Sequence, residues 1–281
     1  MGTNSAVYEA QLAPVRAQLD PSHEFVFLDG QIECEAATGM KILSNFLCDK
    51  FCDTIKLGDL ESNNIFFNTG VEPLFPGPYY CYYSKPTPDQ LQDAYDLINE
   101  AIEEDGPFDG VFGFSQGGAL AASMLLQHAK TNPQAPEPFK LAVFTCASLP
   151  FDLDTEKRVH KYNTVLCLET GKVSVRDWIP GEKIDASAVN GFVSPLKEGE
   201  TSLQRYHPER EKARIRVPTL HIMGRLDPFV PQSELLADLC EEGERSTYVH
   251  ELGHKLPRDL QFARKAATAI NSMIYKILYK S

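Results

Sequence analysis

Excess positive charge is the first thing this chain lacks. Across 281 residues, 27 Lys and Arg face 39 Asp and Glu, for a net charge of −12. Such a surface repels a phosphate backbone, which excludes nucleic acid as a partner. No apolar run reaches the ~18 residues that a membrane-crossing helix needs. No basic segment leads into an apolar stretch at the start, so secretion by a leader is not expected. Cysteine is present without a framework: Cys34, Cys48, Cys52, Cys81, Cys146, Cys167 and Cys240 are odd in number and irregular in spacing. They read as reduced, mostly buried thiols of a cytoplasmic protein. Cys48 and Cys52 share a helical spacing, but no further Cys or His completes a zinc set, so no metal is expected.

What is present is Gly113-Phe114-Ser115-Gln116-Gly117. A Gly-x-Ser-x-Gly pentapeptide can form a sharp strand-to-helix turn that leaves the serine hydroxyl exposed at the edge of a sheet. At average glycine and serine usage the bare pattern arises in about one chain in ten of this size, so its setting has to decide. Phe108 to Phe112 reads as a short buried strand after the Gly106-Pro107 breaker, and Gly118 to Leu126 as a helix apolar nearly all round. The bland alternative is a glycine-rich turn with an idle serine.

Strands and helices alternate elsewhere too. A helix is expected from Ser5 to Leu19, with Val7, Leu12, Val15 and Leu19 on one stripe. Phe25 to Leu28 reads as a strand ending at Asp29-Gly30. Thr87-Pro88-Asp89-Gln90 opens a helix, with Thr87 as cap and Gln90 closing a capping box. Leu141 to Cys146, Val217 to Met223 and Thr247 to His250 are further strands, and a last helix runs from about Arg258 to Tyr279. This alternation predicts an α/β chain with a mostly parallel sheet covered by helices on both faces. Active sites in such sheets gather beyond the carboxyl ends of the strands.

Two strand ends supply what a serine needs. Asp227 follows Ile222-Met223-Gly224, and His254 follows Gly253 after the last strand. A serine hydroxyl is a weak nucleophile without a base in hydrogen-bond reach, and imidazole titrates near neutrality. A carboxylate behind the ring fixes its tautomer. Among rivals, His221 and His250 lie within strands, His128 on the helix after the elbow, and His23, His160 and His207 in connections. Asp238 is the alternative acid, placed within a helix and facing water.

These motifs carry a resemblance. The chain resembles the fungal serine-hydrolase family of α/β-hydrolases, nearest to polyketide-pathway esterases of the lovastatin type. The match rests on Met1-Gly2-Thr3-Asn4-Ser5, Phe25 to Gly30, Phe75-Pro76-Gly77-Pro78-Tyr79-Tyr80, Gly113 to Gly118, Pro218 to Gly224 and Gly253-His254. It implies one α/β-hydrolase domain over 1–281, with Ser115, Asp227 and His254 as the triad. It implies the backbone amide of Gln116 as one oxyanion donor and that of Gly2 as the second. Tyr79, Tyr80 and Phe229 are placed at the substrate. The implied reaction is cleavage of an ester or thioester, needing no metal or organic cofactor. The implied donor is a small acyl ester or an acyl carrier domain of a polyketide synthase. A general cytoplasmic carboxylesterase, or an impaired hydrolase kept for binding, are the alternatives.

Two departures from the family stand out. Family members have a strand and a Leu-His-Gly turn before the segment matching Met1 to Asn4, and this chain starts where that strand has ended. The strand that would neighbour the elbow strand is therefore expected to be missing, which puts the second oxyanion donor in question; a misplaced start codon is the explanation this suggests. The segment 40–70 has no family counterpart, and Thr38-Gly39 recurs as Thr69-Gly70 at its other end. It reads either as a retained intron or as a flap. Residues 150–215 read as a lid-like insertion, in which Trp178, Ile179, Ile184, Val189, Phe192 and Val193 line an acyl pocket or simply pack.

Overall fold

The computed structural model describes residues 3–35, 77–153, 163–166, 173–176 and 202–279. They fall into two compact units: Met1–Ala13 with Glu24–Tyr82, and Pro14–His23 with Tyr83–Ser281. Helix α1 spans Ser5–Arg16 and ends short of the expected Leu19; Val7, Leu12 and Val15 of its stripe are buried, as is Leu19 in the turn beyond it. Asn4 caps it, its Oδ1 accepting from the Val7 amide at 3.0 Å, and the Asp29 carboxylate accepts from the Ser5 hydroxyl at 2.9 Å.

The smaller unit holds an antiparallel pair, β1 (Ile32–Cys34) and β2 (Tyr79–Cys81), in the register Glu33↔Tyr80. Phe25 to Leu28, expected as a strand, has no ladder among the described residues, and Val26 is 54% exposed. The Leu28 carbonyl accepts from the Tyr82 hydroxyl at 2.9 Å rather than from a neighbouring strand; a strand is defined by its ladder as much as by its own composition. Regular pairing starts later, at Ile32.

The larger unit is built on a parallel ladder. Strands β3 (Gly110–Phe114), β4 (Leu141–Thr145), β7 (Thr219–Gly224) and β8 (Arg245–His250) stand in the order β3-β4-β7-β8. Between β4 and β7 in sequence, β5 (Asn163–Leu166) and β6 (Val173–Arg176) form a separate antiparallel pair. No described strand precedes α1, so the expected missing strand is absent from this ladder. The elbow strand β3 is its edge.

Helices cover both faces. Helix α2 (Pro88–Asp105) starts as its sequence foretold, with Thr87 Oγ1 accepting from the Gln90 amide at 3.4 Å. The box is not closed as expected: Gln90 Oε1 accepts from the Ser84 and Lys85 amides, at 2.8 and 3.0 Å, and braces the preceding loop. Helix α3 (Gln116–Thr131) packs on β3 and β4, and α4 (Val230–Asp238) on β7. Their core joins Ala121, Ala122, Leu125 and Leu126 of α3 to Phe144, Tyr206, Ile215 and Leu236. Ala142 and Phe144 point into this core, so Leu141 and Val143 point to the other face by the strand's period of two. Helix α5 (Leu260–Tyr279) packs there against β4 and β7, burying Phe262, Ala263, Ala266, Ala267, Ile270 and Met273. The two covered faces explain why β4 and β7 are buried at every position while β8, at the other edge, is largely open.

Residues 40–70 and the six apolar residues from Trp178 to Val193 lie outside the described residues. So do Gly2, Cys48, Cys52, His160 and Cys167.

Candidate active site

Ser115 sits between β3 and α3 with φ 53° and ψ −114°, a conformation that L-residues rarely adopt. Backbone hydrogen bonds on both sides hold it there, among them a 3.4 Å bond from the Ser148 amide to its carbonyl. Its amide donates to Thr145 O at 2.9 Å, across to the end of β4, and its carbonyl accepts from Ala119 at 3.1 Å, inside α3. The turn closes only because of glycine. A Cβ on Gly113 would lie 2.4 Å from Gly118 Cα, and one on Gly118 would lie 2.6 Å from Ala147 Cβ. Strand and helix are thus in backbone contact on both sides of the serine.

Asp227 and His254 come from the ends of β7 and β8. The amides of Arg225 and Leu226 donate to His250 O at 2.7 Å and Leu252 O at 3.1 Å, which zips the two loops together. Gly224 makes the approach possible, since a Cβ there would lie 2.3 Å from Gly253 O. Lys255 N donates to Gly253 O at 2.8 Å, so His254 occupies the apex of a tight turn. The three side chains then meet in sequence. His254 Nε2 is 2.9 Å from Ser115 Oγ, and His254 Nδ1 is 2.7 Å from Asp227 Oδ2. Asp227 is 3% exposed, and its other oxygen accepts from the Phe229 amide at 2.8 Å. A buried carboxylate with both oxygens engaged cannot swing away from the ring. The imidazole is flanked by Phe114, with ring centroids 5.0 Å apart, and Phe229, edge-on at 5.9 Å. Its solvent side stays open, the side chain being 31% exposed.

A second serine, and the rival strand histidines and acid of the sequence, are held elsewhere. Ser233 is buried in α4, and its hydroxyl donates to Ala147 O at 2.8 Å. That bond fixes the loop after β4 rather than presenting a nucleophile. His221 is buried in β7 beside Phe144, its Nε2 3.2 Å from Thr219 Oγ1, and burial drives its pKa down to about 3. His250 accepts from the Leu252 amide at 3.2 Å, and burial lowers its pKa as well. Asp238 pairs on the surface with Arg245 at 2.7 Å. Among the other named positions, Gln116 heads α3, its side-chain amide donating to Tyr83 O at 2.7 Å. Tyr79, buried, and Tyr80, half-buried, lie on β2 of the smaller unit, and the Tyr80 amide donates to Thr3 O at 2.8 Å.

From the sequence Cys146 reads as an ordinary buried thiol, yet it lies beside the carboxylate and the imidazole. Ligand atoms of Cys146, Asp227 and His254 are all within 4.8 Å of one another. Burial, with Asp227 next in effect, pushes its thiol up to about 12. The only sequence signal was its place, just past the end of a buried strand next to the elbow.

Comparison with known proteins agrees with this geometry. The family profile described as Serine hydrolase (FSH1) matches residues 1–266. Esterase alnB of Emericella nidulans is 30% identical over 298 aligned positions, which cover 96% of this chain and 92% of that protein. Hydrolase FUB4 of Fusarium oxysporum f. sp. lycopersici is 31% identical over 69% of this chain and 80% of its own length. Esterase FPY3 of Fusarium mangiferae is 29% identical over 98% and 94%.

Proposed function

Because the chain belongs to the fungal serine-hydrolase (FSH1) family of α/β-hydrolases, we propose that it opens esters or thioesters through an acyl-enzyme on Ser115. One observation carries this reading: the unbroken chain from Ser115 Oγ to His254 Nε2 and from His254 Nδ1 to Asp227 Oδ2. His254 takes the serine proton as the hydroxyl attacks the acyl carbon, then returns it to the leaving alcohol or thiol. Water, deprotonated by the same ring, releases the acid. Asp227 keeps the Nδ1 proton in place and stabilises the imidazolium as it forms. The Gln116 amide, first of α3, points its helix end toward the developing oxyanion and supplies one donor. The chemistry asks nothing of a metal or an organic cofactor.

The finer assignment is a polyketide-like acyl chain, released in the cytoplasm from a synthase of secondary metabolism, with an acyl carrier domain as donor. Its support is the lovastatin-type resemblance, together with relatives that are themselves named esterases and hydrolases of filamentous fungi. Phe229 stands at the imidazole, where an acyl chain would pass, and Tyr79 and Tyr80 are proposed to meet the rest of the substrate. Residues 150–215 are proposed as a lid over it, and 40–70 as either a flap or a retained intron, a peptide from 40–70 in a digest of the native protein ruling the intron out.

The test has two layers. A fluorophosphonate probe should label the wild type and leave Ser115→Ala unlabelled; a folded wild type that stays unlabelled refutes the hydrolase reading. Rates on short free esters should then be compared with rates on carrier-bound thioesters. Preference for the free esters would replace the synthase assignment with a general carboxylesterase.

A further inference from the structure

Among the described residues, Cys146 is a buried nucleophilic side chain at the site for which hydrolysis has no use. It follows β4 directly, is 0% exposed, and has φ 46°, left-handed backbone that a side chain bears only under strain. Its amide donates to Ile222 O at 2.8 Å, which pins it across the seam between β4 and β7. Its sulfur is 3.9 Å from the carbonyl of Lys255, the residue after His254. Sulfur, carboxylate oxygen and imidazole nitrogen, mutually within 4.8 Å, are the donor set of a zinc-type ion, with a fourth position left for water.

We propose that Cys146, Asp227 and His254 form a capture site for zinc or a softer divalent ion, and that filling it switches the hydrolase off. Only the inhibitory half rests on the triad reading; the binding half rests on the three side chains alone. The ion bonds to sulfur as the thiol proton leaves to solvent. Thiolate and carboxylate together cancel its two charges, so the buried site ends neutral. If the ion takes Nε2, it consumes the lone pair that would accept the serine proton. If it takes Nδ1, the proton there moves to Nε2, and the base is lost all the same. The open face of His254 is the way in. One thiolate sulfur in a three-donor set favours zinc and softer ions over hard oxygen-seeking ones, so magnesium and calcium leave the enzyme untouched.

The full-length protein, its Cys146→Ser and Cys146→Ala variants and Asp227→Asn are each titrated with cadmium chloride. The ultraviolet charge-transfer band of a cadmium thiolate is followed after folding is confirmed by circular dichroism. Wild type should show one more cadmium thiolate than either cysteine variant, and Asp227→Asn should need at least ~10-fold more cadmium to fill it. In parallel, zinc chloride should slow fluorophosphonate labelling of Ser115 at concentrations at least ~10-fold lower in wild type than in Cys146→Ser. Each protein is compared with its own metal-free rate, and magnesium chloride serves as the blank. Equal bands in wild type and both cysteine variants, or equal zinc sensitivity, overturns the proposal. Metal-free wild type that does not label sinks the hydrolase reading instead, while the cadmium band still decides the site.

Discussion

At the scale of single residues, the site is a set of short, directional contacts, so its predictions are large. Ser115→Ala removes the proposed nucleophile and should lower kcat by roughly 10⁴- to 10⁶-fold with the fold intact. Asp227→Asn keeps the shape but offers the imidazole the wrong partner. The amide nitrogen cannot accept the Nδ1 proton, the ring tips to the other tautomer, and kcat should fall about 10⁴-fold. Steady-state rates on a small aryl ester, beside thermal melts, check both. Loss of rate with loss of fold would move these residues from chemistry to packing. Ser115, Asp227 and His254 were singled out from chain order and strand-end placement, signals that spring from how parallel sheets present their loops. Cys146 shares the strand-end placement but not the chain order, and a buried thiol near a carboxylate has the same one-letter context as a thiol in a plain core.

At the scale of elements, two junctions invite substitution. Thr87→Ala deletes the cap of α2 and should cost about 1 kcal/mol in chemical denaturation. Gly118→Ala is a stronger perturbation, since the new methyl would meet Ala147 Cβ at 2.6 Å and Gly113 O at 2.9 Å. Strand β3 and helix α3 would have to part, costing about 1–3 kcal/mol and displacing the Ser115 hydroxyl from His254. Activity should therefore fall by more than stability alone explains; unchanged kcat would show that the turn is not tightly held. Helices were the more legible elements. Thr87-Pro88 announces α2, and the buried stripe of α1 is visible as spacing, because caps and periodicity are local. Strands were less so. Phe25 to Leu28 has the composition of a strand but no ladder among the described residues, and Gln90 braces a loop instead of closing its own cap.

At the scale of the whole molecule, buried histidines make stability depend on pH. His221 has a folded pKa near 3 against 6.5 in the open chain, and burial lowers those of His207 and His250 as well. The unfolded chain then binds more protons than the folded one over the window from pH 6.5 down toward 3. Stability is full above the upper limit and drains as pH falls, by up to about 1.4 kcal/mol per pH unit from His221, with His207 and His250 acting in the same direction. Urea midpoints measured between pH 7 and 4.5 should fall accordingly, and His221→Leu should flatten the slope whatever it does to the midpoint at pH 7. A slope that His221→Leu leaves unchanged would show that another group carries the acid sensitivity. No helix among the described residues is long and apolar enough to cross a membrane.

What this amino-acid order determined by itself was whatever is written in neighbouring residues: the glycine-flanked serine, the caps and stripes of helices, the buried runs of β4 and β7, and hence the layered sheet. Tertiary structure alone decided the convergence of loops after β3, β7 and β8, and with it the 2.7 and 2.9 Å contacts of His254. It also put a strained, buried sulfur against the carboxylate. The physical reason is range. Periodicity and capping act over a few residues, whereas the distance between side chains 27 and 139 residues apart is set by strand order and glycine-thin contacts between loops.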